Sequence, residues 1–304
     1  MSQPALNLDL ARLVWSWHLR PDVVVVLVAC GVLYSRGWWR LRARGHPGLA
    51  TVWRLGAYLS GLLGIVLALL SPLDRAADLL FTAHMVQHQV LLMVSPPLLL
   101  LGNPYPFVLW GCSRGARVRM AQALAAGGRA RAVWRRLTWM PVAGAIYGVV
   151  LVGWHYPPAY EAALHHPVLH DVEHLTFFGA AVLFWWPIVN PAPRLRRLGT
   201  GLQYGYRIGY LVLATALNTL LGAVLGVAER VLYPTYAAAP RLLEDWSALD
   251  DQAFGGGVMW SGSHMYLVAI LILVARLLRF EERAGPLAEK APAENEDARP
   301  SSVV

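Results

Sequence analysis

The chain between Leu79 and Leu101 reads LLFTAHMVQHQVLLMVSPPLLLL, an apolar run without a single Asp, Glu, Lys or Arg. A helix of about 20 apolar residues is long enough to cross the hydrocarbon core of a bilayer, so this run predicts a membrane-spanning helix. The run also contains His84 and His88. Because ionisable side chains are costly inside a membrane and are retained there mainly for function, the same run indicates a functional site.

Six further apolar runs predict six more spans. They lie at residues 23–34, 53–73, 138–155, 168–189, 203–227 and 258–280. The composition agrees, because 57% of the residues are hydrophobic and only 14% are charged, against roughly a quarter in soluble domains. We therefore predict an all-α integral membrane protein with seven transmembrane helices and no separate soluble domain.

The predicted organisation has three parts. Residues 1–20 form an outer interfacial segment, residues 21–280 form the seven-helix membrane domain, and residues 281–304 form a disordered cytoplasmic tail rich in Ala, Glu and Pro. Within the membrane domain, the basic stretch 114–136 is expected to be a solvated loop that faces anionic lipid. An amphipathic interfacial helix is the alternative for this stretch.

The distribution of arginine predicts the orientation. Lys290 is the only lysine, so arginine supplies nearly all of the positive charge behind the formal net charge of +8. The connections after the first, third and fifth runs are rich in arginine, whereas the opposite connections contain little. The positive-inside rule then places the N-terminus outside and the C-terminus in the cytoplasm. No basic stripe is interleaved with stacking aromatics. We therefore expect these arginines to interact with the lipid bilayer and not with nucleic acid.

Six histidines fall in the helix halves that this topology places near the outer face. They are His84, His88, His155, His170, His174 and His264. The pairs His84/His88 and His170/His174 are spaced i, i+4, so each pair projects from one face of its helix. Imidazoles from four helices are therefore expected at one level of the membrane.

These imidazoles predict a metal site. Imidazole suits copper, zinc, iron and nickel, and thioether ligands favour Cu(I), so we predict copper, with zinc as the alternative. Asp171 and Glu173 offer carboxylates as ligands or as acceptors that orient the imidazoles. Auxiliary thioethers are offered by Met85, Met259 and Met265. Without a metal, the same histidines would hydrogen-bond to neighbouring helices.

The third run contains a second feature, the sequence Ser95-Pro96-Pro97. Proline lacks a backbone N–H and its ring clashes with the preceding turn, so we expect a kink in this helix just below His84 and His88. Such a kink either opens a cavity or serves ordinary packing.

Three blocks of the sequence resemble one family. They are HMVQH at 84–88 with SPPLLLLG at 95–102, then WH at 154–155 with HDVEHLTF at 170–177 and FWWP at 184–187, then DQAFGGGVMW at 251–260. Together they resemble the multi-pass CtaG family of bacterial cytochrome c oxidase assembly factors. The resemblance extends from the first to the seventh predicted helix and leaves both tails uncovered.

This resemblance implies a seven-helix protein of the bacterial plasma membrane that is required for making an active haem–copper oxidase. The inferred role of such proteins is copper delivery to the oxidase, without catalysis of their own. The implied partners are an oxidase subunit or its assembly intermediate and a copper donor protein. Five of the six histidines are motif positions of the family, whereas the proposed role of His264 rests on its placement alone.

Two other functions stay open. In a zinc-dependent intramembrane hydrolase, three histidines would hold the metal while Glu173 or Asp171 assists a bound water, although no H-E-x-x-H helix is present. A metal-free scaffold would instead stabilise an immature oxidase subunit through helix contacts. Small residues that permit close packing of helices are Gly56, Gly61, Gly64, Gly205, Gly209 and Gly222.

Overall fold

The computed structural model of the protein describes residues 15–125, 127–191, 201–240 and 246–289. Over these residues the chain is built from helices joined by short connections, without a β-strand. The helices are α1 (Pro21–Ala43), α2 (Val52–Leu69), α3 (Pro72–Ala77), α4 (Phe81–Leu101), α5 (Pro104–Gly111), α6 (Arg114–Ala123), α7 (Arg129–Leu137), α8 (Met140–His155), α9 (Pro157–His165), α10 (Pro167–Val189), α11 (Gly201–Gly226), α12 (Pro234–Ala238) and α13 (Ala248–Glu289).

Six of these helices are long and apolar enough to cross a membrane: α1, α2, α4, α10, α11 and α13. Helices α7 and α8 meet at an angle of 64° and make a seventh span if they are taken as one. The predicted all-α, multi-pass architecture is therefore confirmed, with six to seven spans. The orientation of the termini stays a prediction.

Helix α1 is longer than its apolar run, because it continues through the arginines that the sequence analysis places in a loop. Arg40 donates a hydrogen bond to the carbonyl oxygen of Trp110 at 2.8 Å, and Arg42 donates one to that of Ala50 at 3.0 Å. The last carbonyls of a helix lack partners within the helix, and arginine side chains satisfy them well. Arg40 thus satisfies a carbonyl group at the end of α5, in addition to any role in the orientation of the protein in the membrane.

The basic stretch 114–136 also differs from its expectation as a solvated loop. It forms α6 and α7, and on α7 the ring of Trp134 packs edge-on against Trp186 of α10 with centroids 5.0 Å apart. The helical alternative for this stretch is therefore correct, since aromatic packing holds α7 on the bundle.

The last helix is longer than predicted at both ends. It begins at Ala248, ten residues before Val258, and continues to Glu289, so the predicted disordered tail is helical where it begins. The remainder of that tail, 290–304, lies outside the described residues, as do residues 1–14 of the predicted N-terminal segment.

The two prolines of α4 distort the helix through a π-helical turn. This turn covers Val90–Val94 and ends in the α-helical segment Ser95–Leu101. Pro96 has no N–H to offer the carbonyl of Leu92, and the indole N–H of Trp185 on α10 donates to that oxygen instead, at 3.0 Å. The expected disturbance below the two histidines is present, and α10 supplies the missing donor.

Helices α11 and α13 pack most closely at glycines. A Cβ placed on Gly256 would lie 2.6 Å from the carbonyl oxygen of Gly222, which leaves no room for any side chain. Small residues let helix backbones approach in this way inside membranes. This contact fixes the position of α13, whose first turns bear on the site described next.

Candidate metal centre

Five of the six predicted histidines converge at one end of the bundle. His84 and His88 lie in the first turns of α4, His155 ends α8, and His170 and His174 lie in the first turns of α10. Successive spans run in opposite directions, so the start of α4, the end of α8 and the start of α10 meet at the same end. We call these five residues the histidine cluster.

The rings of the histidine cluster are close together. Ring centroids are 4.3 Å apart for His84 and His88, 4.2 Å for His170 and His174, 5.2 Å for His84 and His170, and 5.6 Å for His88 and His174. The ring of His155 lies 5.9 Å from that of His88. The two i, i+4 pairs therefore face each other, as their spacing predicts.

Two overlapping groups within this cluster have the spacing of a metal site. His84, His88 and His174 can each offer one nitrogen within 4.8 Å of the others, and so can His84, His170 and Glu173 with one carboxylate oxygen. The Nε2 atoms of His84 and His170 are 3.4 Å apart. Two nitrogens bound tetrahedrally at about 2.05 Å from one ion lie about 3.3 Å apart, so this pair already has the required separation.

Several polar atoms of the site are buried and lack partners. His84 and His88 are each 1% exposed and Glu173 is fully buried. Among the described residues, no hydrogen-bond partner exists for the atoms His88 Nδ1 and Nε2, His155 Nε2, His174 Nε2, and Glu173 Oε1 and Oε2. The distance from His88 Nε2 to Glu173 Oε1 is 3.6 Å. Buried polar groups are rarely left unsatisfied, so this concentration is suited to an ion held between them.

The tyrosines Tyr160 and Tyr236 orient the ring of His84. Their phenol oxygens lie 2.8 Å and 2.7 Å from His84 Nδ1, and the Tyr236 hydroxyl donates onward to the carbonyl oxygen of Ala77. We therefore assign the proton of His84 to Nδ1, which donates to phenol oxygen and leaves the lone pair of Nε2 facing His170. Partners of this kind fix the tautomer of metal-binding histidines.

His155 is oriented by its own helix. Its Nδ1 lies 2.7 Å from the carbonyl oxygen of Leu151, which can only accept, so Nδ1 carries the proton and Nε2 presents a lone pair. The Tyr233 hydroxyl donates to the backbone carbonyl of His155 at 2.9 Å and holds the end of α8 in place.

The start of α4 is held by Asp251, which lies on α13. Its carboxylate accepts hydrogen bonds from the backbone N–H groups of Phe81 at 2.6 Å and Thr82 at 3.0 Å. These N–H groups have no acceptor within their own helix, so Asp251 serves as an N-cap supplied by another helix. Its neighbour Gln252 accepts from the N–H of Leu232 and so anchors the connection that carries Tyr236.

The residues that hold the histidine cluster in place were not predicted from the sequence. Tyr160, Asp251 and Gln252 lie in or beside the sequence blocks that resemble the family, but only the structure shows what they contact. Tyr236 lies outside these blocks, and we find no sequence signal for its role.

The structure corrects two of the predicted site residues. His264 is exposed on α13, and its Nδ1 faces the carbonyl oxygen of Ser261 on the same helix at 2.7 Å, so it does not join the histidine cluster. The carboxylate of Asp171 pairs with both terminal nitrogens of Arg20. That pairing makes Glu173, and not Asp171, the carboxylate of the site.

The predicted thioethers have other surroundings. Met85 and Met259 are buried in the hydrophobic core among aromatic and aliphatic side chains, and Met265 is 38% exposed on α13. The two groups with the spacing of a metal site consist of imidazoles and one carboxylate.

Charged residues surround the rim of the cluster beside His170, which is only partly buried. Asp78, in the turn between α3 and α4, interacts electrostatically with His170, and burial together with the nearby Asp74 raises the pKa of Asp78. The Gln87 side-chain amide donates to Asp74 at 2.9 Å. Acidic side chains, one of which pairs with Arg75, therefore lie near the partly buried His170.

A bundle of membrane-spanning helices with a buried group of imidazoles and one carboxylate defines a multi-pass membrane protein with a candidate metal centre. The chain belongs to the family of cytochrome c oxidase caa3 assembly factors (CtaG), whose family model matches residues 32–279. The resemblance seen in the sequence is thereby confirmed, and the match covers the histidine cluster.

Relatives of similar sequence are present in mycobacteria. The chain is 25% identical over 291 residues to uncharacterized proteins of Mycobacterium bovis and Mycobacterium tuberculosis, and 25% identical over 295 residues to one of Mycobacterium leprae. These matches cover 91% of this chain but only 41–42% of each relative, so the chain spans about two fifths of their length. No solved structure matches the chain.

Proposed function

We propose that this protein assists the assembly of a haem–copper oxidase in the bacterial plasma membrane by binding copper at the histidine cluster and passing it to the oxidase. The observation that carries the proposal is the convergence of buried, unpartnered imidazole nitrogens with the carboxylate of Glu173. Copper is the cargo in this scheme, received from a copper donor protein and released to an oxidase subunit or its assembly intermediate.

The charges of the ligands support copper in its reduced form. Neutral imidazoles add no charge, and the carboxylate of Glu173 contributes one negative charge. Bound Cu(I) would balance it, whereas a divalent ion would leave one positive charge in a buried place, where uncompensated charge is costly. The methionines give less support to Cu(I) than this charge balance does, because Met85 and Met259 lie in the hydrophobic core and Met265 is exposed.

The two overlapping ligand groups support stepwise transfer. His84 belongs to both groups; one includes the partly buried His170, and the other includes the buried His88 and His174. An ion that arrives at His170 and His84 would keep His84 as a ligand while it exchanges its remaining ligands. Copper would thus move between the rim and the interior without losing all of its ligands at once.

The test is a titration of the purified, detergent-solubilised protein with Cu(I) against a chromophoric chelator under exclusion of oxygen. We expect the unmodified protein to bind copper stoichiometrically and the double variant His84→Ala/His88→Ala to lose this binding. The matched control is His264→Ala, which removes an exposed imidazole of the same bundle and should bind like the unmodified protein. Stoichiometric binding retained in the double variant would overturn the assignment of the site.

The hydrolase hypothesis has one specific observation in its favour. The carboxylate of Glu173 lies beside three imidazoles, and its two oxygens have no hydrogen-bond partner among the described residues. Such a carboxylate can act as a base toward a metal-bound water. Metal analysis after mild purification discriminates between the two functions. Bound zinc together with turnover of a lipid or peptide ester would favour the hydrolase, and bound copper without turnover would favour the assembly factor.

The scaffold hypothesis makes a different prediction for cells. Of the glycines that motivated it, Gly61, Gly64 and Gly222 pack against other helices of the same chain, whereas Gly56, Gly205 and Gly209 border open space. If oxidase assembly survives alanine at His84, His88, His170 and His174 together, helix contacts and not metal binding explain the function.

A further inference from the structure

A cavity of about 1020 Å³ lies at the end of the bundle opposite to the histidine cluster. It is bordered by the junction of α7 and α8, by the end of α10 and by the start of α11. Its walls are mainly apolar and aromatic, with Trp139, Trp186, Tyr206 and Leu213 among them. Nothing in the proposed copper chemistry uses this cavity.

One charged side chain, that of Arg207 on α11, lines the cavity. The residue is only 5% exposed, and among the described residues its guanidinium has neither a hydrogen bond nor an ion pair. Two groups act on it electrostatically: Tyr204, which favours its charged form, and another cation, Arg276 on α13, which opposes that form. A buried guanidinium is normally paired, because removal of an unpaired charge from water is costly. Arg207 therefore indicates an anion that the described part of the chain does not supply.

A second unsatisfied donor lines the same cavity. The indole nitrogen Nε1 of Trp186, on α10, is buried and has no acceptor among the residues that the structure describes. An anion with several oxygens could accept from this N–H and from the guanidinium together, since guanidinium groups bind phosphate through parallel hydrogen bonds.

The outer flank of the cavity is apolar and open. Tyr206 is 62% exposed and Leu213 is 72% exposed, although both belong to a helix that is apolar enough to span the membrane. Side chains of this kind at this place contact the acyl chains of lipids. The cavity thus joins a buried cationic interior to a surface that lies against the bilayer.

We propose that this cavity binds the headgroup phosphate of an anionic phospholipid, with Arg207 and Trp186 as donors and with the acyl chains along Tyr206 and Leu213. Basic pockets between transmembrane helices bind anionic headgroups in this manner. A zwitterionic lipid fits less well, because its headgroup brings its own cation toward Arg207. This site is independent of the histidine cluster and of the proposed copper binding.

Native mass spectrometry of the full chain in detergent, with defined lipids added, tests the proposal. Phosphatidylglycerol should bind more tightly than phosphatidylcholine with the same acyl chains, and Arg207→Gln should weaken phosphatidylglycerol binding about tenfold or more. The matched control is Arg119→Gln, which removes the same charge from an exposed position on α6 and should change binding less than twofold.

Three further measurements keep the result interpretable. In lipid-free detergent the melting temperature of Arg207→Gln should equal or exceed that of the unmodified protein, because the variant removes an unpaired buried charge. Trp186→Phe, which keeps the arginine, should weaken phosphatidylglycerol binding by a few-fold. Inorganic phosphate should not displace the lipid, since it lacks the acyl chains.

Three results would overturn the proposal. They are equal binding of phosphatidylglycerol by the unmodified protein and Arg207→Gln, equal binding of the two lipids, and displacement of the lipid by inorganic phosphate at the same concentration. The last result would assign the cavity to a free anion.

Discussion

At the scale of single residues, the tyrosines beside His84 have the most direct influence on the histidine cluster. Tyr236 and Tyr160 surround Nδ1 of His84 and leave its Nε2 as the free ligand atom. Removal of such partners typically lowers metal affinity 10- to 100-fold, because the ring loses its fixed orientation and tautomer. The phenol oxygens would therefore tune the affinity of the proposed site without contacting a bound ion.

We expect the double variant Tyr160→Phe/Tyr236→Phe to bind Cu(I) about tenfold more weakly than the unmodified protein, because both acceptors of the Nδ1 proton are lost. Competition titration with a chromophoric chelator measures this change. The control is Tyr147→Phe, which removes another buried and hydrogen-bonded hydroxyl, the partner of Tyr266 at 2.8 Å, outside the cluster. Equal affinities of the tyrosine double variant and this control would contradict the assigned role.

The sequence identified the histidines of the site but not its carboxylate. Asp171 and Glu173 are both spaced suitably on α10, and only the neighbouring elements decide between them. Arg20 reaches Asp171 from the start of α1, across 151 positions of sequence, whereas Glu173 lies against His88. Such long-range partners are not encoded in the helical period. His264 was included for its depth alone, and depth does not show which face of α13 points to the cluster.

At the scale of helices, the start of α4 depends on α13. Asp251 accepts from two N–H groups of the first turn of α4, and its side chain is 1% exposed. Loss of an N-cap costs about 1 kcal/mol, and loss of a buried hydrogen bond to a charged group about 1.5–3 kcal/mol. The turn that carries His84 is therefore stabilised by a helix that contributes no ligand.

We expect Asp251→Ala to lower the free energy of unfolding by about 2 kcal/mol, because two backbone donors of α4 become unsatisfied. The melting temperature should then fall by about 3 °C, because an unfolding entropy of about 2.1 cal/mol/K per residue amounts to about 0.6 kcal/mol/K for 304 residues. The neighbouring Asp250 is exposed and caps only its own helix through Ser247, so Asp250→Ala is the control and should shift the transition less. The reverse order of the two shifts would contradict the role of Asp251.

The contact of α11 with α13 allows a second test on the scale of helices. Gly256→Ala should destabilise the bundle, because the added Cβ meets the backbone of α11 at Gly222 and Gly226. Gly257→Ala is the matched control, since open space surrounds that position. Thermal unfolding in detergent should show a clearly lower transition for Gly256→Ala alone. Equal transitions would mean that the two helices separate freely enough to accept the methyl group.

The helix ends show where prediction from sequence fails for a physical reason. Apolar runs located the spans well, but α1 extends into a cluster of arginines and α13 begins among Asp250 and Asp251. Hydrophobicity reports contact with lipid, whereas a helix continues wherever its backbone groups find partners. Arg40, which closes the end of α5, is one such partner and is visible only after folding.

At the scale of the whole molecule, the two ends differ in charge. The histidine end carries Asp74, Asp78 and Asp171, whereas the other end carries the arginines of α6 and α7 and the cavity that contains Arg207. The positive-inside rule predicts that the histidine end faces outward. Copper would then be bound and released on the outer side of the membrane.

Labelling of single cysteines tests this orientation. In a Cys30→Ser/Cys112→Ser background, His165→Cys on α9 should react with a membrane-impermeant maleimide in intact cells. Arg119→Cys on α6 should react only after permeabilisation; both positions are exposed. Labelling in the opposite pattern would invert the topology and place the copper site on the cytoplasmic side.

The short helix α8 has a consequence for the surrounding lipid. Its 16 residues extend about 24 Å, against about 30 Å for the hydrocarbon core of a typical bilayer, and the 64° turn into α7 prevents a straight continuation. Hydrophobic mismatch of this size is relieved by local thinning of the bilayer. We therefore expect the two leaflets beside α8 to be drawn toward each other, which would bring the aqueous phases closer together on this flank than along the longer spans.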